Sequence, residues 1–357
     1  MRPLLFLVTL FLVEILTESA PAKESEHFAN RVISEHGIDG EAANRLKSLL
    51  MNSEATRNIG TEDLNEFKGP NQSVHPASRS SCVKKVLDTG LIKPNPQFEK
   101  ICGAKWMAPV PEVGGTTANA RVCMDQFEFP NIPCEYPLVW SPASLAKQVC
   151  ETMGKRVCNS HEWEGACAGG IEVNDPYLFS DTSLQSRRAR YNQSRDRVWA
   201  FNWNPELSNI FSREVFSHDI CGIYSPNDPD MEPEILSSPG RYYNTIGKSL
   251  ACHTMNSDYK SCGTNTWPAG MKHLCRTQNE IYDLHGNVAE VVNFPQTKEG
   301  IARGKTTDFT ERKGSFFVVR KTYPDDCRVR QPYEHFKEFA TDRHSYYQEG
   351  FRCCKDL

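Results

Sequence analysis

The sequence predicts an α+β protein, rich in loops, poor in long regular elements and stapled by disulfides. Three observations carry this. Fourteen cysteines lie behind an N-terminal stretch that reads as a secretory leader. Helix signals are few and short. Asn, Asp, Pro, Ser and Gly crowd the chain between about 170 and 280. With 357 residues the chain is long enough to bury a core of its own, so disulfides add to that core rather than replace it. Forty-one basic against 45 acidic residues, a net charge of −4, excludes nucleic-acid binding through bulk charge. A mean hydropathy of −0.55 excludes a multi-span membrane protein.

The leader spans residues 1–22. Arg2 supplies the positive start, Leu4 to Val13 is apolar apart from Thr9, and Ala20-Pro21-Ala22 is a small-x-small cleavage site. The run is too short to cross about 30 Å of hydrocarbon, and Glu14 follows it, so no membrane anchor is expected. The mature chain is expected to be secreted or periplasmic, in an oxidising compartment where most cysteines pair. Which cysteines pair stays open at this stage.

Residues 23–81 are polar, lack cysteine and read as a loose arm or linker. Helical patterns over Ala29–Ile38 and Glu41–Met51, the latter with Leu46, Leu49 and Leu50 on one side, make a packed helical pair the alternative. Asn71-Gln72-Ser73 and Asn192-Gln193-Ser194 fit the N-glycosylation pattern. The cysteine-bearing domain is expected over 82–357. Within it a helix is expected over Ser144–Met153. A second runs from an N-cap at Ser160 through Glu162–Ala168 to Gly169-Gly170. Strands are expected over Gly314–Val319 and Gly350–Cys353. Adjacent Cys353 and Cys354 point to opposite faces of such a strand and reach separate partners.

Four segments recur in a fixed order. They are Cys123-Met124-Asp125-Gln126-Phe127-Glu128-Phe129-Pro130-Asn131; Gly154-Lys155-Arg156-Val157-Cys158 with Glu162-Trp163-Glu164; Asp283-Leu284-His285-Gly286-Asn287-Val288-Ala289-Glu290; and Gly314-Ser315-Phe316 with a closing Gly350-Phe351-Arg352-Cys353. In combination they resemble the sulfatase-modifying-factor domain family. That is the fold of the formylglycine-generating enzyme, a distant variant of the C-type-lectin-like fold. The resemblance covers 103–357. Cysteines 123, 134, 150, 158 and 167 make the chain similar to a cysteine-rich, secreted branch.

The resemblance implies a calcium loop with Asp283, the backbones of Gly286 and Val288, and Glu290 as ligands, and a second site near Asn202. Carboxylates and turn carbonyls suit a hard cation. The bland reading is an Asx-type turn with Glu290 capping or in an ion pair. The family buries the Trp163 helix against its core, and Arg352 is expected to pair with an internal carboxylate.

Catalysis in the enzyme uses two cysteines that bind copper(I), a soft ion that needs soft sulfur ligands. The matching positions fall at about Val318 and Tyr323, and neither is cysteine. Copper is therefore not expected. Cys327 matches a third, non-catalytic cysteine. Arg320, Tyr323, Arg330 and Trp267 lie in segments that flank the family's substrate groove. The duller reading is surface ion pairs for the arginines and core packing for Tyr323 and Trp267. No serine-nucleophile elbow, phosphate loop or paired zinc knuckle occurs.

Two function classes follow. One is a non-catalytic, calcium-stabilised module that holds a peptide, a glycan or a protein. The other is a thiol- or copper-dependent oxidase with relocated thiols among Cys327, Cys353 and Cys354.

Overall fold

A computed structural model describes residues 20–53, 55, 74–172, 221–222, 228–233, 264–294, 310–317, 327–328, 345 and 347–357. Residues 1–19 of the expected leader, both candidate glycosylation motifs, Asn202, Arg320, Tyr323 and Arg330 lie outside the described residues. No helix among the described residues is long and apolar enough to cross a membrane.

Within the segment read as a loose arm lies a helical pair, α1 (Ala20–Glu35) and α2 (Gly40–Met51), seated on the body. Its apolar spacing explains this. Phe28, Ala29 and Val32 of α1, and Leu46 and Leu50 of α2, fall one helical turn apart and are buried in the main core cluster. Gly37 takes the left-handed backbone (φ 61°) that ends α1, and the Ile38 amide returns to the Ile33 carbonyl. Two polar contacts fix the pair in place. His36 Nε2 lies 2.7 Å from the Pro130 carbonyl, and Arg31 pairs with buried Glu135 at 2.8 Å.

Helix α3 (Arg79–Cys82) runs into a π-helical turn, Val83–Leu87. Helix α4 (Pro96–Cys102) is capped by the Asn95 side chain, carries Pro in its first turn and stops at left-handed Gly103. Disulfides Cys82–Cys134 and Cys102–Cys123 tie these helices to the body.

Two small sheets carry the centre. The first contains β1 (Met107–Val110), β2 (Val122–Asp125), β3 (Arg156–Val157) and β7 (Cys353–Asp356), in the order β1-β2-β7-β3 and antiparallel throughout. The second contains β4 (Ala289–Asn293), β5 (Thr310–Lys313) and β6 (Glu349–Phe351), in the order β5-β4-β6. Here β4 runs antiparallel to β5 and parallel to β6. The chain leaves the second sheet at Phe351 and enters the first at Cys353, so Arg352 is the only residue between them.

Helix α5 (Ala143–Thr152) lies within one residue of its expected span and buries Ala146, Val149 and Cys150. Helix α6 (Ser160–Ala168) starts at the residue expected as its cap, so the cap lies one residue earlier. Asn159 is the N-cap, and its side chain and Glu162 form a reciprocal capping box. Gly314–Phe317, the described part of the strand expected over Gly314–Val319, is not strand; a strand that was not expected lies just before it, at Thr310–Lys313. Gly314 ends it with φ 73°, and a Cβ there would stand 3.0 Å from the Leu284 carbonyl. The terminal strand expected as one piece is two, divided at Arg352.

Candidate functional site

The segment Asp283–Glu290 forms a buried turn that opens into β4. Gly286 (φ 76°) and Asn287 (φ 50°) are both left-handed, a conformation that Gly and Asn adopt most readily. The Asn287 side chain uses both ends. Its Oδ1 accepts from the Trp267 amide at 2.8 Å, and its Nδ2 donates to Glu128 Oε2 at 2.7 Å. The Val288 amide donates to the other Glu128 oxygen at 3.1 Å. Glu128 thus pins the turn from the Cys123–Asn131 segment.

Arg352 enters the same region from the junction of the two sheets. Its Nε and Nη2 hold the two oxygens of Glu290 at 2.7 and 2.6 Å, a bidentate fork. Nη1 donates to the Asp125 carbonyl at 3.0 Å and Nη2 to the Tyr282 carbonyl at 2.9 Å. Trp163 Nε1 of α6 adds a third donor to Glu290 at 2.7 Å. One guanidinium therefore joins β2, β4 and the β6–β7 junction. Beside it, Asp125 accepts from the Cys353 amide at 3.0 Å and from Lys155 Nζ at 2.6 Å.

Three carboxylates, Glu128, Asp283 and Glu290, share this dry centre with Arg352. Burial, reinforced by Asp283 and Glu290, holds Glu128 well above the usual carboxylate range. Burial pushes Asp283 up to about 7, against the opposing Gly270 amide and Arg352. Burial works against the charge on Arg352, and Glu290 more than reverses it, so Arg352 stays above its ordinary value. Asp283 is itself strained at φ 58°, and its Oδ2 accepts from the Gly270 amide at 2.6 Å.

The calcium reading does not fit this loop. Both oxygens of Glu290 are taken by Arg352 and Trp163, and the positive charge that faces them is the guanidinium. Among the described residues, one group of three or more His, Cys, Asp or Glu side chains brings its ligand atoms within 4.8 Å of one another: Cys167, His285 and Cys327. The bland alternative, a turn with Glu290 in an ion pair, is what the loop contains.

The candidate thiols are also closed. Cys327 pairs with Cys167, Cys353 with Cys150 and Cys354 with Cys158. Neighbouring Cys353 and Cys354 reach separate partners, as strand alternation requires. A sixth bridge joins Cys221 and Cys275, and no described cysteine is free. Trp267, expected beside a groove, is a core residue 1% exposed. The Lys272 ammonium stands 4.3 Å above its ring, paired with Asp228 and Asp230. Arg320, Tyr323 and Arg330 fall outside the described residues.

His285 lies at the other end of the turn from Glu290. Its Nε2 is 3.6 Å from Cys167 Sγ and 3.9 Å from Cys327 Sγ, with all three residues fully buried. Burial lowers its pKa to about 3, so the imidazole is neutral.

The expected Arg352–carboxylate pair and the buried Trp163 are both present. Sequence reasoning assigned no role to Glu128. Its one visible signal was its place in an unusually apolar segment, flanked by Phe127 and Phe129. No protein-family model matches the chain, and no curated protein matches it.

Proposed function

We propose that the chain is a secreted, non-catalytic binding module of the sulfatase-modifying-factor type, recognising a peptide, a glycan or another protein. The ordered motifs from Cys123 to Cys353 and the mixed α+β body with two small sheets support this reading. The observation that carries it is chemical. The copper-binding positions hold Val318 and Tyr323, and the three cysteines that could replace them are each committed to a disulfide. A structural disulfide supplies no thiolate for copper or for attack on a substrate. The buried turn and Arg352 act as scaffold in this reading, without calcium at that loop. Ligand contact is assigned to the segments that carry Arg320, Tyr323 and Arg330.

The test is a thiol map of the native protein without reductant, paired with an oxidation assay on a cysteine peptide in the presence of copper(I). The expected result is no alkylation at Cys327, Cys353 or Cys354 and no peptide oxidation. Selective labelling of any of the three, together with copper-dependent oxidation of the peptide, overturns the reading and establishes the oxidase alternative.

A further inference from the structure

We propose that Cys167, Cys327 and His285 form a redox-gated zinc site, closed while the two sulfurs are bonded to each other and open once they are reduced. The inference goes beyond the binding reading and does not rest on it.

The geometry points to this. A tetrahedral zinc ion with bonds of about 2.3 Å to sulfur and 2.0–2.1 Å to nitrogen has S···N edges of roughly 3.5–3.6 Å and an S···S edge of about 3.8 Å. The two S···N distances here are 3.6 and 3.9 Å, so two edges of the tetrahedron stand near their final lengths. The remaining S–S edge is closed by the bond itself, and breaking that bond removes the restraint that holds the sulfurs together. The backbone supports it: the two Cα atoms are 5.4 Å apart, and Cys167 sits in the last turn of α6.

The donor set is suited to the ion. Two thiolates and a neutral imidazole are the ligand types that zinc prefers over hard cations, with a fourth position left for water. The buried ionic centre around Arg352 offers no comparable set, because its carboxylates are committed to donors on the protein.

The chemistry balances as follows. A dithiol reductant gives two electrons and two protons to the Cys167–Cys327 bond and becomes a disulfide. The two resulting thiols release their protons to solvent as zinc binds the thiolates. Reoxidation by a small-molecule disulfide, which takes up the two electrons with two protons from solvent and becomes two thiols, re-forms the bond and expels the metal as Zn2+.

The experiment uses the full-length protein, oxidised and after treatment with a phosphine reductant, with near-ultraviolet circular dichroism to follow the fold. Zinc is titrated against a chromophoric chelator, cobalt(II) is read by its thiolate-to-metal absorption, and protection of individual cysteines from alkylation is located by peptide mass spectrometry. In the reduced protein, zinc should slow alkylation of Cys167 and Cys327 at least about tenfold, and His285→Ala should weaken binding by roughly 10–100-fold. The oxidised protein should give no cobalt–thiolate band. Unprotected Cys167 and Cys327, or unchanged affinity in His285→Ala, overturns the proposal. A Cys327→Asp variant covers loss of structure on reduction. It cannot close the disulfide and offers thiolate, imidazole and carboxylate without any reductant. One equivalent of zinc should bind to it, and a folded variant that binds none also overturns the proposal. Copper-dependent peptide oxidation plays no part here, so this inference and the binding reading fail separately.

Discussion

Replacing Arg352 by Met should be among the most destabilising single changes available in this protein. Arg352 is fully buried and Glu290 is 1% exposed, so neither charge can be rescued by water. The substitution strips Glu290 of two donors and leaves it with Trp163 alone. It also removes the donors to the Asp125 and Tyr282 carbonyls. Breaking a buried ion pair from one side costs about 3–5 kcal/mol, and each orphaned carbonyl adds about 1 kcal/mol or more. A loss of about 5 kcal/mol is the expectation, comparable with the whole stability of a marginal protein. Glu290→Gln in the same background removes the stranded charge and still accepts from Trp163. The double variant should therefore be more stable than the sum of the singles by about 2–3 kcal/mol. Equilibrium unfolding in urea with disulfides intact measures all four corners of the cycle. If Arg352→Met loses less than about 1 kcal/mol, or the cycle is additive within about 0.5 kcal/mol, the guanidinium is not the fastener described above.

Three more predictions follow from the same packing. Asp283 has its folded pKa raised from 3.8 to about 7, so its contribution is complete below pH 3.8 and is lost as pH rises through 7; Asp283→Asn, which still accepts from Gly270, should flatten that fall in denaturation midpoints measured from pH 4 to 8. Gly165→Ala inside α6 would ordinarily stabilise a helix by about 1 kcal/mol, but the new Cβ would stand 2.6 Å from the Ile171 Cα; thermal unfolding should show a net loss of about 1–3 kcal/mol. Asn159→Ala removes the capping box of α6 and should cost about 0.5–2 kcal/mol in the same assay.

Sequence made some of this structure legible and hid the rest for identifiable reasons. Helix α5 shows through because its apolar residues repeat at helical spacing, a local signal; α1 and α2 carry the same signal but were placed in a loose arm, and α1 begins nine residues before its expected start. The separate partners of Cys353 and Cys354 show through because strand alternation is equally local. Strand β5 was missed because Thr310-Glu311-Arg312-Lys313 looks like exposed loop. Lys313 is in fact 1% exposed and paired with Glu164 at 2.7 Å, while Arg312 holds Glu349 at 2.8 Å. Charge that is neutralised by a distant partner cannot be told from charge in water when one chain is read alone. The same reason hid Glu128, which reaches the turn from 159 residues away. Glu290, expected as a calcium ligand, meets a guanidinium from 62 residues further along, a partner that no local pattern shows.

The position of β7 has a consequence for how the protein is made. β7 lies inside its sheet, between β2 and β3, although it comes from the opposite end of the chain order. Its bridges to Cys150 and Cys158 span 203 and 196 residues. On the ribosome, β2 and β3 emerge long before the strand that must fill the gap between them, and they wait with open edges. Topology of such long range is slow to form. Cys150 and Cys158 are exposed to one another, and to earlier cysteines, throughout that wait. The yield of oxidative refolding from the reduced chain should therefore depend on disulfide isomerase more than on the intrinsic stability of the finished fold.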